Sequence, residues 1–279
     1  MKNTAHTFTR RSFLAAASTF VLGAGLSGCS QVQEVVDAFE GKADPSLLAV
    51  EQVPEEPLPI ADGGTPAQFY QAGGFDLSRI NAAADAHQIC VVSGTGGYDC
   101  HVVFAEYTDG GWQTIVDTTG HIGENGIAVL EDNAEWGRQT PEGAFGLGFA
   151  FGIKENPGTR MEYRQVNGNH YWVADPESVY YNQWVDITDP AIVKDWSDNS
   201  QTEHLIDFTN PYAYSIVIQY NMPPVGWARS SAIFLHCIGH IFTGGCVSIP
   251  EEDMVTILQH IDPEGAVIVI ANGDDVYKY

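Results

Sequence analysis

Between Gly74 and Tyr279 the apolar residues arrive in short bursts divided by turn chemistry, and this rhythm constrains the fold more than any other feature. The runs HQICVVSG, YDCHVVFAEYT and WQTIVDTTGHIG are separated by GTGG and DGG. Each run is rich in Val, Ile and aromatic residues, and the glycines between them supply the backbone freedom that tight hairpins need. The spacing predicts three consecutive antiparallel strands. AFGLGFAFG, AYSIVIQYN and GAVIVIA predict further strands, while DLSRINAAADAH and EEDMVTILQHI predict helices. No repeat and no second boundary interrupts residues 74–279, so the expectation is one domain, mainly β with a few helices.

The first 73 residues read differently. Arg10 and Arg11 precede an apolar run from Phe13 to Leu26 that is too short and glycine-rich to span a bilayer comfortably. Residues 1–28 therefore read as an export signal of the twin-arginine type. Leu26-Ser27-Gly28-Cys29 resembles a bacterial lipobox, with cleavage before Cys29 and lipid on its sulfur. Residues 29–73 are rich in Pro, Glu, Asp and Gly and read as an acidic, solvated linker. The expected location is the outer face of the cytoplasmic membrane, in the wall space, with the lipid on Cys29 as membrane contact.

The formal net charge is −24, and loss of Lys2, Arg10 and Arg11 with the signal leaves −27. Such a chain repels polyanions, which excludes nucleic acid as a partner. Cys90 and Cys100 lie equally far from Thr95, at the centre of the GTGGY turn, so a hairpin centred there brings them face to face. In an oxidising exterior that geometry permits a disulfide, although connectivity is not fixed by sequence.

The stretch FLHCIGHIFTGGCVSIP, residues 234–250, holds the remaining chemistry. His236 and His240 are four apart, but Cys237 stands where a zinc-protease pattern needs glutamate, and Gly239 interrupts any helix. No second ligand pair has finger-like spacing, so neither metal nor cofactor is expected. Cys246 follows Gly244 and Gly245 at the edge of a predicted strand. Glycines there let a carbonyl substrate approach closely, and the N–H groups of Gly245 and Cys246 are candidate oxyanion donors. His236, ten residues upstream, reaches the thiol if the two strands run side by side. A packing role for Cys246 stays open, since free cysteines are commonly buried.

SAIFLHC, then TGGCVSIP, EEDMVTILQHI and GAVIVI, together with RQTPEGAFGLG (138–148) and HYWVADPESVYYNQWV (170–185), resemble the catalytic core of the YkuD-type L,D-transpeptidases, from about Val91 to Ile270. The resemblance implies a β-sandwich of mixed sheets and action on peptidoglycan stem peptides. Cys246 matches the family nucleophile and His236 its base, held by the backbone carbonyl of Cys237. It implies a thioester on Cys246, resolved by an amine of a second stem or by water. Two positions depart from the pattern: Gly244 stands where the family carries a histidine, and Ser248 where it often carries arginine. Thr243 and Gly244 belong to the matched loop. Trp172, Tyr181 and Asn182 are candidates to line a peptide cleft, with strand packing as the alternative; Arg138 is a candidate to meet a stem carboxylate. Tyr163 and Tyr180 are weaker candidates of the same kind. An L,D-carboxypeptidase or cysteine peptidase of wall peptides, and an inert wall-binding lipoprotein, remain as other readings.

Overall fold

The computed structural model describes residues 71–279, apart from 199, 224 and 227. The expected export signal, the expected lipidation at Cys29 and the expected linker up to residue 70 lie outside the described residues. The strands are β1 (Gln71–Ala72), β2 (Phe75–Asp76), β3 (Gln88–Gly96), β4 (Asp99–Thr108), β5 (Gly111–His121), β6 (Ile127–Ala128), β7 (Thr140–Pro141) and β8 (Gly143–Gly152). They continue as β9 (Tyr163–Gln165), β10 (His170–Val173), β11 (Gln183–Asp186), β12 (Glu203–His204), β13 (Ser215–Ile218), β14 (Phe234–Cys237), β15 (Val247–Ile249) and β16 (Ala266–Asn272). Helix α1 (Asn81–Ala84) precedes β3, and α2 (Glu251–His260) lies between β15 and β16.

The molecule is mainly β, as the spacing predicts, and its sheets are mixed, as the resemblance implies. The large sheet has the order β13-β14-β15-β5-β4-β3-β16-β8-β9, and β8 also pairs with β13. The β8–β13 pairing closes the strands from β13 to β8 into a ring, and β9 continues along β8 as a short terminal strand. Closure leaves few of the exposed edges that an open sheet would have to protect. The β3–β4–β5 meander is antiparallel, whereas β16 pairs with β3, and β14 with β15, in parallel. Asp109 and Gly110, with φ of 49° and 82°, make the two-residue turn between β4 and β5, where both central residues need positive φ.

Alternation sorts the side chains into an inside and two outsides. Val92, Phe104, Leu235, Val247 and Ile268 point inward, and α2 adds Met254, Ile257 and Leu258 to that cluster. Ile89, Val91, Val103 and Val269 face outward on one side, beneath Leu77, Ile80 and the C-terminal turn. On the other side Phe151, Val217, Phe234 and Cys246 face outward beneath Trp172 and Leu205. Trp172 belongs to the small sheet β11-β10-β12.

Two expectations change. The helix expected over DLSRINAAADAH is a 3-10 turn at Leu77–Arg79 and the single turn α1, separated by Ile80 in extended conformation. Cys90 and Cys100 are free thiols. The hairpin turns at Gly97 and Tyr98 rather than at Thr95, so even after a one-residue bulge near Gly94–Gly96 Cys90 opposes Phe104 and Cys100 opposes Gly94. The two cysteines are thereby offset by four residues, about 13 Å along a strand, well beyond the Cα separation of about 7 Å that a disulfide tolerates.

Gly120 on β5 controls how closely β15 approaches the meander. A Cβ there would stand 2.2 Å from the Ser248 carbonyl oxygen, a backbone atom that cannot swing away. Gly120→Ala is expected to cost about 1–3 kcal/mol by overpacking, which lowers Tm by roughly 2–4 °C per kcal/mol. A thermal melt indistinguishable from wild type would contradict this account of the β5–β15 contact.

Candidate active site

Two parallel strands place the chemistry. The β14–β15 register pairs Leu235 with Val247 and His236 with Ser248, which sets Phe234 beside Cys246 one step earlier. Paired residues of neighbouring strands project to the same face, and faces alternate along each strand. Phe234, His236, Cys246 and Ser248 therefore share one face, while Leu235, Cys237, Val247 and Ile249 fill the interior. His236 and Cys246 sit on adjacent strands offset by two residues, about 7 Å along the strand direction.

Both residues line a cleft of about 440 Å³ that also includes Trp136, Arg138, Glu203, Tyr212, Thr243 and Gly244. His236 is 6% exposed and Cys246 7%, so the cleft opens onto them without flooding them. The nine residues between β14 and β15 run back over this face, with His240, Phe242, Thr243 and Gly244 in the cleft wall. Thr243 is fixed to the β5 extension: its N–H donates to Ile122 O at 2.9 Å, and its carbonyl accepts from Glu124 N at 3.1 Å.

The His236 ring has a defined proton. Its Nδ1 lies 2.7 Å from the Cys237 carbonyl oxygen. A carbonyl only accepts, so Nδ1 carries the hydrogen and Nε2 keeps its lone pair. Burial, opposed by this hydrogen bond and reinforced by His240, lowers the His236 pKa to about 4. The imidazole is neutral at physiological pH. Burial first, and the charge of Glu203 second, push the Cys246 thiol well above its ordinary value. Its S–H donates to Ala232 O at 3.1 Å, and the sulfur accepts from Phe234 N at 3.3 Å. The resting pair is a neutral thiol with a neutral base.

The loop before the thiol behaves differently from the expectation for Gly245. Its φ of 148° is one that glycine tolerates, and a Cβ would meet the Gln139 carbonyl at 3.0 Å. However, the Gly245 N–H donates to Thr243 Oγ1 at 3.1 Å, and that hydroxyl donates to the Cys246 carbonyl at 2.6 Å. Gly245 thus shapes the turn rather than offering a free oxyanion donor. The Cys246 N–H donates to none of the described residues. A Cβ on Gly244 would meet nothing within 4 Å, so this position borders open space.

Among the other sequence candidates, Arg138 lies in the cleft wall, paired with Glu124 at 2.8 Å. Trp172 and Asn182 do not line the cleft. Trp172 is buried edge-on to Phe234, and its indole N–H donates to Asn182 Oδ1 at 2.9 Å. The same oxygen accepts from Ala232 N, while the Asn182 amide donates to the Tyr220 and Asn221 carbonyls. Asn182 is spent on holding the chain around Ala232, and so acts on the thiol's acceptor rather than on a ligand. The Tyr181 ring is buried, and its hydroxyl donates to Glu135, which does line the cleft. Tyr163 donates to Lys154 O, and Tyr180 packs against Trp196. Glu203 and Tyr212 are cleft residues that the sequence did not single out. They come from a two-residue strand and a 3-10 turn, elements without a periodic signal.

No family model matches the sequence, and no curated protein matches it. Two solved structures are similar in part. One is Bd1075 of Bdellovibrio bacteriovorus, at 14% identity and TM-score 0.35, over 77% of this chain and 58% of that one. The other is the helical cell shape determining protein Pgp2 of Campylobacter jejuni, at 12% identity and TM-score 0.36, over 67% of this chain and 48% of that one. The chain thus spans about half the length of each of these proteins.

The neutral resting pair has a kinetic signature. With the thiol raised and the imidazole lowered, iodoacetamide alkylation of Cys246 should keep climbing from about pH 6 to 9 without a plateau, following the thiolate fraction. Peptide mapping resolves Cys246 from Cys90, Cys100 and Cys237. A plateau beginning below pH 8 would mean that a thiolate–imidazolium pair already exists, against this assignment.

Proposed function

We propose that the chain is a cysteine acyltransferase acting on peptidoglycan stem peptides, an L,D-transpeptidase. The observation that carries the reading is the shared face of Cys246 and His236 in one cleft, with the Nε2 lone pair of His236 uncommitted. The motif resemblance along residues 91–270 supplies the substrate class.

In this mechanism His236 Nε2 takes the Cys246 proton as the sulfur attacks the carbonyl of an L-centred residue in the stem. The thiol must first leave Ala232 O, a rotation about the Cys246 side chain. The tetrahedral oxyanion is stabilised by backbone amide donors, with the Cys246 N–H in that role. Collapse expels the terminal D-amino acid, whose amine receives the proton from His236, and leaves a thioester on Cys246. An amine of a second stem, deprotonated by His236, then forms the crosslink and releases the thiol. Water in place of the amine gives the carboxypeptidase outcome. Export and a lipid on Cys29 would hold the domain beside its polymer.

One observation favours the inert wall-binding reading instead. The sulfur already has two backbone partners and little exposure, as a packing thiol would. The decisive measurement is the intact mass of the purified domain after incubation with a carbapenem. One covalent adduct is expected on wild type and none on Cys246→Ala; no adduct on wild type, or one that persists in the variant, defeats the proposal. With a disaccharide tetrapeptide, crosslinked dimers identify transfer to an amine, whereas tripeptide with free D-alanine identifies hydrolysis. His236→Ala should lower acylation by about 10²-fold or more.

A further inference from the structure

The cleft contains a half-buried acid, Glu203, that the acyl-transfer scheme does not use. Glu203 lies on β12, which pairs with β10 through Trp172. Its carboxylate accepts the hydroxyl proton of Tyr212, and both residues line the cleft. Tyr212 is 3% exposed, and its ring stands edge-on to the His236 imidazole, with centroids 5.6 Å apart and planes at 83°. The ring is also wedged against Phe151 and Phe234. An imidazole tethered at one nitrogen still has freedom to tilt, and the Tyr212 edge limits it. The continuous path is Glu203 carboxylate, Tyr212 hydroxyl and ring, His236 ring.

We propose that Glu203 is a positioning and charge-setting residue for the Cys246–His236 pair, holding Tyr212 against His236 and placing a carboxylate in the cleft wall that the Cys246 thiol shares. This rests on the reading of Cys246 as the reacting thiol.

The electrostatics agree with the geometry. Burial, with the charge of Glu135 reinforcing it against the Tyr212 hydrogen bond, raises the Glu203 pKa to about 7. Glu203 in turn adds to the burial that raises Cys246. The groups facing this cluster are few. Glu135 comes from the chain between β6 and β7, tied to Tyr181 and Ser231. His240 acts on His236 from the loop after β14, and Arg138 in the same wall is paired with Glu124. None of these is a cation beside Glu203. Above about pH 7 the carboxylate is charged and opposes the thiolate. Protonation near neutrality, or a cationic group brought into the cleft, lifts that opposition.

The test is the pH profile of Cys246 alkylation, which needs no substrate. Glu203→Gln keeps an oxygen for the Tyr212 hydroxyl and removes the charge. Its profile should move to lower pH, with a rate at pH 8 about three- to tenfold above wild type; one unit of thiol pKa is tenfold in thiolate. Tyr212→Phe keeps the ring but takes away the donor that favours ionised Glu203, and should shift the profile the same way near neutrality. A Glu203→Gln profile that superimposes on wild type, or moves to higher pH, overturns the proposal. If Glu203→Gln fails to fold, Tyr212→Phe decides by the same criterion. A failed carbapenem adduct on wild type would instead strike the acyl-transfer reading, so the two failures are distinguishable.

Discussion

The parallel contact between β14 and β15 is the constraint from which the site follows. Parallel neighbours ordinarily require a crossover of a dozen or more residues, commonly carrying a helix. Here only residues 238–246 are available to return the chain to the start of β15. So short a connection has to lie close along the strands it joins. It therefore walls the face that holds His236 and Cys246, and its last residues deliver the thiol to the edge of the ladder. Thr243 fastens the loop twice, once to the β5 extension and once, through its hydroxyl, to the Cys246 carbonyl. Gly120 allows β15 to lie against β5 at all. The base, the thiol and the cleft wall are consequences of one pairing choice.

That arrangement sets a chemical condition as well. The face carrying the pair is covered by the small sheet and its aromatic residues, so charge there is costly. Both groups respond by remaining neutral, the imidazole through a pKa of about 4 and the thiol through an upward shift. A preformed ion pair in so dry a place would need more compensation than the one carbonyl at His236 provides. In the proposed acyl transfer, coupling proton transfer to attack would avoid that expense, because charge would appear only as the substrate's carbonyl oxygen takes it up. The depressed basicity of His236 keeps it deprotonated, at the cost of driving force for taking the thiol proton.

The sequence made the meander legible because its turn chemistry is local: Asp109-Gly110 dictates a two-residue turn wherever it sits between strands. The Cys90–Cys100 expectation failed for a related reason. GTGGY offers several glycines at which the chain can turn, and the turn falls at Gly97 and Tyr98 rather than at Thr95, which moves the partner of every residue in the hairpin. The 170–185 segment was legible as strands but not as a surface. Trp172 and Asn182 look like ligand contacts in a list of residue types, whereas their roles depend on partners at Ala232, Tyr220 and Asn221, forty to fifty residues away. Glu203 and Tyr212 were hidden for the opposite reason. Neither belongs to a periodic element, and only the pairing of β12 with β10 and the turn at Pro211–Ala213 bring them to the cleft.

The departures at Gly244 and Ser248 acquire a physical meaning from the same geometry. At Gly244 the missing side chain leaves open space in the cleft wall, since a Cβ there would touch nothing within 4 Å. No strain in the loop demands glycine at that position, so the absence widens the cleft rather than relieving a clash. Ser248 is buried, and its hydroxyl donates to the His121 carbonyl at 3.4 Å across the β15–β5 contact. A long cation in its place would have to displace that contact or reach into the cleft past His236. With no imidazole at Gly244 and no arginine at Ser248, the other titratable side chains of the wall are His240 in the loop and the charged residues around it. Arg138 is paired with Glu124, and the half-buried Glu135 and Glu203 add carboxylates to the same wall. Positive charge brought near the Cys246 sulfur would lower the cost of forming a thiolate there.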